Sequence, residues 1–153
     1  MLYQMIDESF IQLKIKARDW EEAIRKSALP LLKKEKITEQ YIDKIIEITR
    51  TTGPYIVITK HTALPHAPSE FGAKELAMSI TTLENPISSG HTTNDPVKYL
   101  FCLSAPDSNS HLKALSNLVQ LLDDENFIQT LDYSNDAIDI LDYIKFKEIE
   151  GRS

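Results

Sequence analysis

The segment from Val97 to Ala105 is nearly continuously apolar, and a strand of that composition is stable only when both of its faces are covered. The rest of the chain must supply a layer on each side. From Phe10 to Ala17, Ile11, Leu13 and Ile15 alternate with Gln12, Lys14 and Lys16, the period-two signature of a half-buried strand. Asp19 and Glu22 have capping-box spacing, and Trp20, Ala23, Ile24, Ser27, Ala28 and Leu31 recur at helical spacing. This predicts a first helix, kinked or shortened by Pro30, because an interior proline lacks a backbone donor and crowds the preceding turn. Thr38 is placed to cap a second helix whose stripe is Tyr41, Ile42, Ile45, Ile46 and Thr49, stopped by Gly53-Pro54.

After a short β-branched strand, Tyr55 to Thr59, the chain reads as an irregular loop from Lys60 to Gly72 containing Pro65 and Pro68. A strand from Leu76 to Leu83 and a turn-rich stretch from Glu84 to Pro96 lead into the apolar strand. From Ser110 onward the signal is helical. Leu112, Leu115, Leu118, Val119 and Leu122 mark one face, Phe127, Ile128 and Leu131 a short helix, and Ala137, Ile138, Leu141 and Ile144 a last one after Ser134. One strand, two helices, three strands and three helices in that order predict an α/β fold with helices on both sides of a sheet.

At 153 residues, 42% hydrophobic and 26% charged, the chain reads as one soluble domain over residues 1–153, with no internal repeat, linker or low-complexity tract. No run approaches the roughly 18 apolar residues of a membrane span. Met1 to Phe10 lacks the basic and apolar blocks of a secretory signal, so the expected compartment is the cytoplasm. Cys102, the single cysteine, reads as a small buried hydrophobe. Seventeen basic against 23 acidic residues give a net charge of −6, which disfavours nucleic acid and anionic lipid as partners. That charge lies from Leu103 onward, where 10 acidic face 4 basic residues, while Met1 to Cys102 carries 13 of each.

Histidine is the informative residue, because its neutral ring can serve as base, nucleophile or metal ligand near neutral pH. There is no G-x-S-x-G elbow, no phosphate-binding or dinucleotide glycine loop, and no H-x-x-x-H or C-x-x-C spacing for zinc, so no cofactor and no metal is expected. His61 and His91 stand in polar, turn-rich segments and read as loop residues. His66 is held in the apolar, proline-flanked loop Ala63-Leu64-Pro65-His66-Ala67-Pro68. His111 follows the buried strand and falls in the first turn of the next helix, where outward N–H groups favour an anion. Two histidines, each just beyond a strand, can converge on one phosphate. A structural histidine bonded to backbone would leave the same trace, and the residues alone leave both readings open.

At these positions the chain resembles the IIA proteins of the bacterial phosphotransferase system (PTS), in the fructose and mannitol superfamily, whose carrier motif is matched by Leu64-Pro65-His66-Ala67. Gly53 to Ile58, Ala63 to Ala67, Glu70 with Gly72, Asn94 to Val97, and Ala105 to His111 look like its ascorbate-type branch, in the same order and at similar spacing. Ile87 to Gly90 departs from that pattern. The likeness runs from Trp20 to about Leu141. It implies a single PTS EIIA type-2 domain folded as a three-layer α/β/α sandwich with a mixed central sheet. It further implies a phosphohistidine carrier in which His66 takes a phosphoryl group from the carrier protein HPr and passes it to the cysteine of a IIB protein or domain. The membrane permease IIC is then an indirect partner, and the sugar is ascorbate or a related pentose or polyol. By the same resemblance His111 stabilises the phosphate, and Arg50 matches an arginine near the site of mannitol-type members. Glu70 is placed to orient an imidazole, although a solvated glutamate is the blander reading. A regulatory module, whose phosphorylation state controls a binding partner, is the alternative that the same resemblance allows.

Overall fold

A computed structural model describes residues 1–150. The last three residues of the expected domain lie outside the described residues. The chain runs β1 (Ile11–Ile15), α1 (Trp20–Lys33), α2 (Glu39–Thr52), β2 (Val57–Thr59), β3 (Thr62–Ala63), β4 (Ala77–Ile87), β5 (Val97–Ser104), α3 (Ser108–Leu122), α4 (Glu125–Tyr133) and α5 (Ala137–Glu150), with short 3-10 turns at Leu2–Gln4, Glu8–Phe10 and Ser69–Phe71. The five strands lie in the order β1-β4-β5-β3-β2. β1 runs parallel to β4, and β3 parallel to β5, while the β4/β5 and β2/β3 pairs are antiparallel.

The apolar strand is thus the central one, and all of β5 except Lys98 is buried. Its pleat sends Leu100 and Cys102 to a core shared with Ile24, Leu31 and Ile45 of α1 and α2. Tyr99, Phe101 and Leu103 go to the opposite core, against Leu118, Phe127 and Ile144 of the three C-terminal helices. The result is the three-layer α/β/α sandwich with a mixed sheet. Helix termini follow local chemistry: the Asp19 carboxylate accepts from the Glu22 amide at 2.9 Å, the Thr38 hydroxyl from Tyr41 at 3.2 Å, and Gly53 ends α2 at a φ of +87°.

Four local expectations are corrected. Helix α1 is not shortened at Pro30 but runs on to Lys33, and the carbonyl that Pro30 cannot satisfy, that of Lys26, accepts instead from Nε2 of Gln12 on β1 at 2.8 Å. The stretch read as a loop from Lys60 contains β3, only two residues long and too short to carry a periodic pattern. β4 extends through Glu84, Asn85 and Pro86, with its register against β5 shifted between Thr82 and Ile87. On α3 the residues facing the core are Ala114, Leu118 and Leu121, which leaves Leu112 at 63% and Val119 at 44% exposure.

Register fixes where the functional loops emerge. Thr62 pairs with Tyr99 and Ala63 with Leu100, so the chains beyond β3 and β5 leave the sheet at the same end. Gly72 pins the far side of the loop after β3: its φ is +133°, its carbonyl accepts from the Thr38 amide at 3.1 Å, and an added Cβ would fall 2.0 Å from the Thr38 hydroxyl oxygen. Since that hydroxyl caps α2, Gly72→Ala is expected to lower the unfolding free energy by about 1–3 kcal/mol. Urea denaturation checks this, and an unchanged midpoint contradicts it.

Candidate functional site

The loop from Leu64 to Pro68 continues the sheet without being a strand. The Leu64 amide donates to the Ile56 carbonyl at 2.7 Å, and the Leu103 amide donates to the Pro65 carbonyl at 3.0 Å. Tyr41 of α2 reaches the same place from the helical layer. Its hydroxyl donates to the Leu103 carbonyl at 2.8 Å and accepts from the Ala67 amide at 3.1 Å. Burial pushes this phenol's pKa well up, so it stays protonated as the donor. Between these ties and the two prolines, which fix φ on either side, the backbone around His66 has little freedom.

The His66 ring is oriented by its own loop. Nδ1 lies 2.6 Å from the Leu64 carbonyl oxygen, which can only accept, so Nδ1 carries the proton and Nε2 the lone pair in the neutral ring. Burial lowers the pKa of His66 from its ordinary 6.5, the bond to Leu64 raises it in part, and charge on His111 lowers it again. The neutral ring is therefore the resting form at neutral pH. His111, in the first turn of α3, lies with its ring centroid 5.0 Å from that of His66 and its plane tilted by 51°.

The two histidines line one cavity of about 540 Å³. Ile48, Tyr55, Ala67, Pro68, Ala105 and Leu112 make its apolar wall, and Ser69, Asp107 and Ser108 add polar groups. Among the described residues no lysine or arginine lines it. The cavity opens to solvent past Leu112, Ser69 and Ser108; its histidines and serines can donate to a small anionic group, whereas the Asp107 carboxylate can only accept.

Other residues singled out from the sequence fall elsewhere. Arg50 does not line the cavity: its guanidinium forms a two-point pair with Glu21 of α1, Nε at 2.6 Å and Nη2 at 2.5 Å from the carboxylate oxygens. Glu70 is exposed in the turn Ser69–Phe71, outside the cavity, and the Leu64 carbonyl does the orienting for which it was considered. The first turn of α3, expected to favour an anion, is already capped by a carboxylate, since Asp107 accepts from the Ser110 hydroxyl and amide at 3.0 and 2.8 Å. His61 and His91 belong to the opposite end of β5. His61 Nδ1 lies 2.7 Å from the Pro96 carbonyl, and His91 Nδ1 accepts from the amides of Thr93 and Asn94. Asp95 works there too, its carboxylate accepting from the amides of Ser89 and Gly90. Tyr41, Tyr55, Ser69 and Ser108 were not read from the sequence as site residues. For Tyr41 a signal existed, since a phenol on a buried stripe needs a polar partner. Among the described residues no group of three or more His, Cys, Asp or Glu is placed to hold a metal ion.

Fold and site together define a mixed-sheet α/β/α protein with a paired-histidine cavity at the carboxyl ends of two parallel strands. The family model described as "Phosphoenolpyruvate-dependent sugar phosphotransferase system, EIIA 2" matches residues 4–147. The chain belongs to this family and is a PTS phosphotransferase component of the IIA type. It is 40% identical over 124 residues to the mannitol-specific cryptic phosphotransferase enzyme IIA component of Escherichia coli strain K12, covering 81% of this chain and 84% of that protein. With the ascorbate-specific PTS system EIIA component of Salmonella typhimurium strain LT2 it shares 30% identity over 141 residues, 92% of each chain. The solution structure of the mannitol-specific cryptic enzyme IIA CmtB from Escherichia coli has the same fold, with a TM-score of 0.83 at 36% identity over 94% of this chain and 98% of that one.

The geometry makes a spectroscopic prediction. A proton NMR titration of the His66 ring should give a midpoint below 6.5, with Nδ1 as the protonated nitrogen of the neutral form. A midpoint at or above 6.5 contradicts this account of the site.

Proposed function

We propose that His66 accepts a phosphoryl group from phospho-HPr on Nε2 and passes it to a cysteine of a IIB protein or domain. The observation that carries this reading is the bond from Nδ1 to the Leu64 carbonyl, which leaves the lone pair on Nε2 of a neutral ring in the cavity wall. In the first step Nε2 attacks phosphorus in line. The new N–P bond forms as the N–P bond to the donor's histidine breaks, and that electron pair returns to the donor ring. In the second step the acceptor's thiolate attacks, and the bonding pair returns to Nε2. Such transfers depend mainly on positioning and on donors aimed at the equatorial oxygens.

His111 is the leading donor, with Ser69 and Ser108 lining the same cavity. The phosphoryl brings roughly 1.5 to 2 negative charges. With no lysine or arginine among the described residues of the wall, it is held there by hydrogen bonds rather than by full countercharge, which suits a group that must leave again. On this reading residues 1–153 form one EIIA domain working in the cytoplasm, and the IIC permease is reached only through IIB. No helix among the described residues is long and apolar enough to cross a membrane. The sugar is ascorbate or a related pentose or polyol, a reading supported by the ascorbate-specific and mannitol-specific relatives.

Incubation with phosphoenolpyruvate, enzyme I and HPr should add the mass of one phosphate, and His66→Ala should add none. Label still incorporated by His66→Ala overturns the assignment. His111→Ala should still be phosphorylated but should transfer to IIB about tenfold or more slowly. Normal rates of both half-reactions would remove His111 from the mechanism. Because protonation occupies the attacking lone pair, acceptance should be flat above about pH 7 and fall only as the pH drops through the lowered His66 pKa. A decline beginning well above 6.5 contradicts the neutral-ring mechanism.

A further inference from the structure

The backbone groups of the His66 loop are tied one by one. Pro65 and Pro68 have no N–H to give. The Pro65 carbonyl accepts from Leu103, the Ala67 amide donates to Tyr41, and the Leu64 carbonyl accepts from the His66 ring. The His66 carbonyl accepts from the Tyr55 hydroxyl, at 2.7 Å. The same tyrosine touches the ring, its centroid 5.6 Å from that of His66 at an interplanar angle of 65°, an edge-to-face contact.

Tyr55 is delivered by the turn that ends α2, next to the Ile56 carbonyl that accepts from the Leu64 amide. Gly53 and Pro54 end α2, and the turn is closed by the Tyr55 amide donating to the Gly53 carbonyl at 2.8 Å and the Val57 amide to the Pro54 carbonyl at 3.1 Å. The side chain therefore meets His66 from a fixed base. We propose that Tyr55 is a positioning residue for His66: its hydroxyl fixes the His66 carbonyl and its ring edge braces the imidazole, so that the tautomer and aim of Nε2 are set before a phosphoryl donor arrives. The short Nδ1 bond to Leu64 spans only two residues, so its length depends on the backbone between them staying in place. Tyr55 controls the far end of that span. Its hydroxyl is available as a donor throughout the working range, since burial raises its pKa to about 12.

Tyr41 and Tyr55 divide the work. Tyr41 is fully buried and ties the loop to β5, so its loss is a stability event. Tyr55 remains 39% exposed, and removing its hydroxyl should cost the fold little. The inference rests on the reading of His66 as the phosphoryl carrier, but one of its readouts does not.

Nitrogen-15 NMR of the full chain should show the His66 ring of the parent protein as the Nδ1-protonated tautomer. In Tyr55→Phe an admixture of the Nε2-protonated form should appear. With phospho-HPr as donor, Tyr55→Phe should lower kcat by about 3- to 10-fold at unchanged KM, the pattern of a lost orienting contact. Tyr55→Ala, which removes the ring brace as well, should lower it further. An unchanged tautomer ratio or an unchanged kcat in Tyr55→Phe overturns the proposal, as does a loss confined to KM, which would mark Tyr55 as a docking contact. If His66→Ala is still phosphorylated, the carrier reading fails instead, and the tautomer ratio continues to report on Tyr55.

Discussion

A strand buried on both faces has no water to satisfy its backbone, so every amide and carbonyl along β5 must find a protein partner. β4 provides them along one edge. Along the other, β3 is only two residues long, and beyond it the requirement passes to the loop. Leu103 shows the consequence. Its amide donates to the carbonyl of Pro65, and its carbonyl accepts from the Tyr41 hydroxyl. A proline can accept in such a ladder but cannot donate, so the sheet ends there and the next residue, His66, turns into the cavity wall. The site is the place where the central strand runs out of partners made of regular β-structure.

The same register explains how two histidines far apart in sequence come within one ring contact. Parallel pairing of β3 and β5 sends both strands out at one end, and each is followed at once by its histidine-bearing segment. His61 and the turn from Ser88 to Pro96 sit at the other end by the same rule. The likeness of Asn94-Asp95-Pro96-Val97 to ascorbate-type proteins therefore marks a turn device, built on the Asp95 carboxylate, rather than a part of the cavity. The acidic C-terminal third of the chain reaches the site as well: Asp107 belongs to it and stands in the wall of the cavity, capping α3.

Features written in local pattern were legible in the sequence: the caps at Asp19 and Thr38, the stripes of α1 and α2, the stop at Gly53, and the buried strand. The positions of His66 and His111 after strands were legible for the same reason. What escaped depends on partners distant in sequence. Pro30 is accommodated because Gln12 on another element takes up the stranded Lys26 carbonyl. Arg50 is diverted by Glu21, a pairing set by the packing of α1 against α2. Tyr41 and Tyr55 look like ordinary apolar-stripe and strand residues until their hydroxyls are seen to hold the loop. β3 has too few residues to show any period.

The orienting group on His66 matters as much as the ring it orients. A carboxylate at Nδ1, the role considered for Glu70, would fix the same tautomer, but its charge would stabilise the imidazolium and draw the pKa upward. The ring would then spend more of its time protonated at neutral pH, without the lone pair on which the proposed phosphoryl acceptance depends. A backbone carbonyl fixes the tautomer with a dipole alone. Its smaller upward pull is outweighed by burial, which disfavours the charged ring, and by the second histidine. Burial in an apolar loop and orientation by Leu64 are thus two halves of one solution, in which the ring is dry enough to stay neutral and tied enough to present one nitrogen.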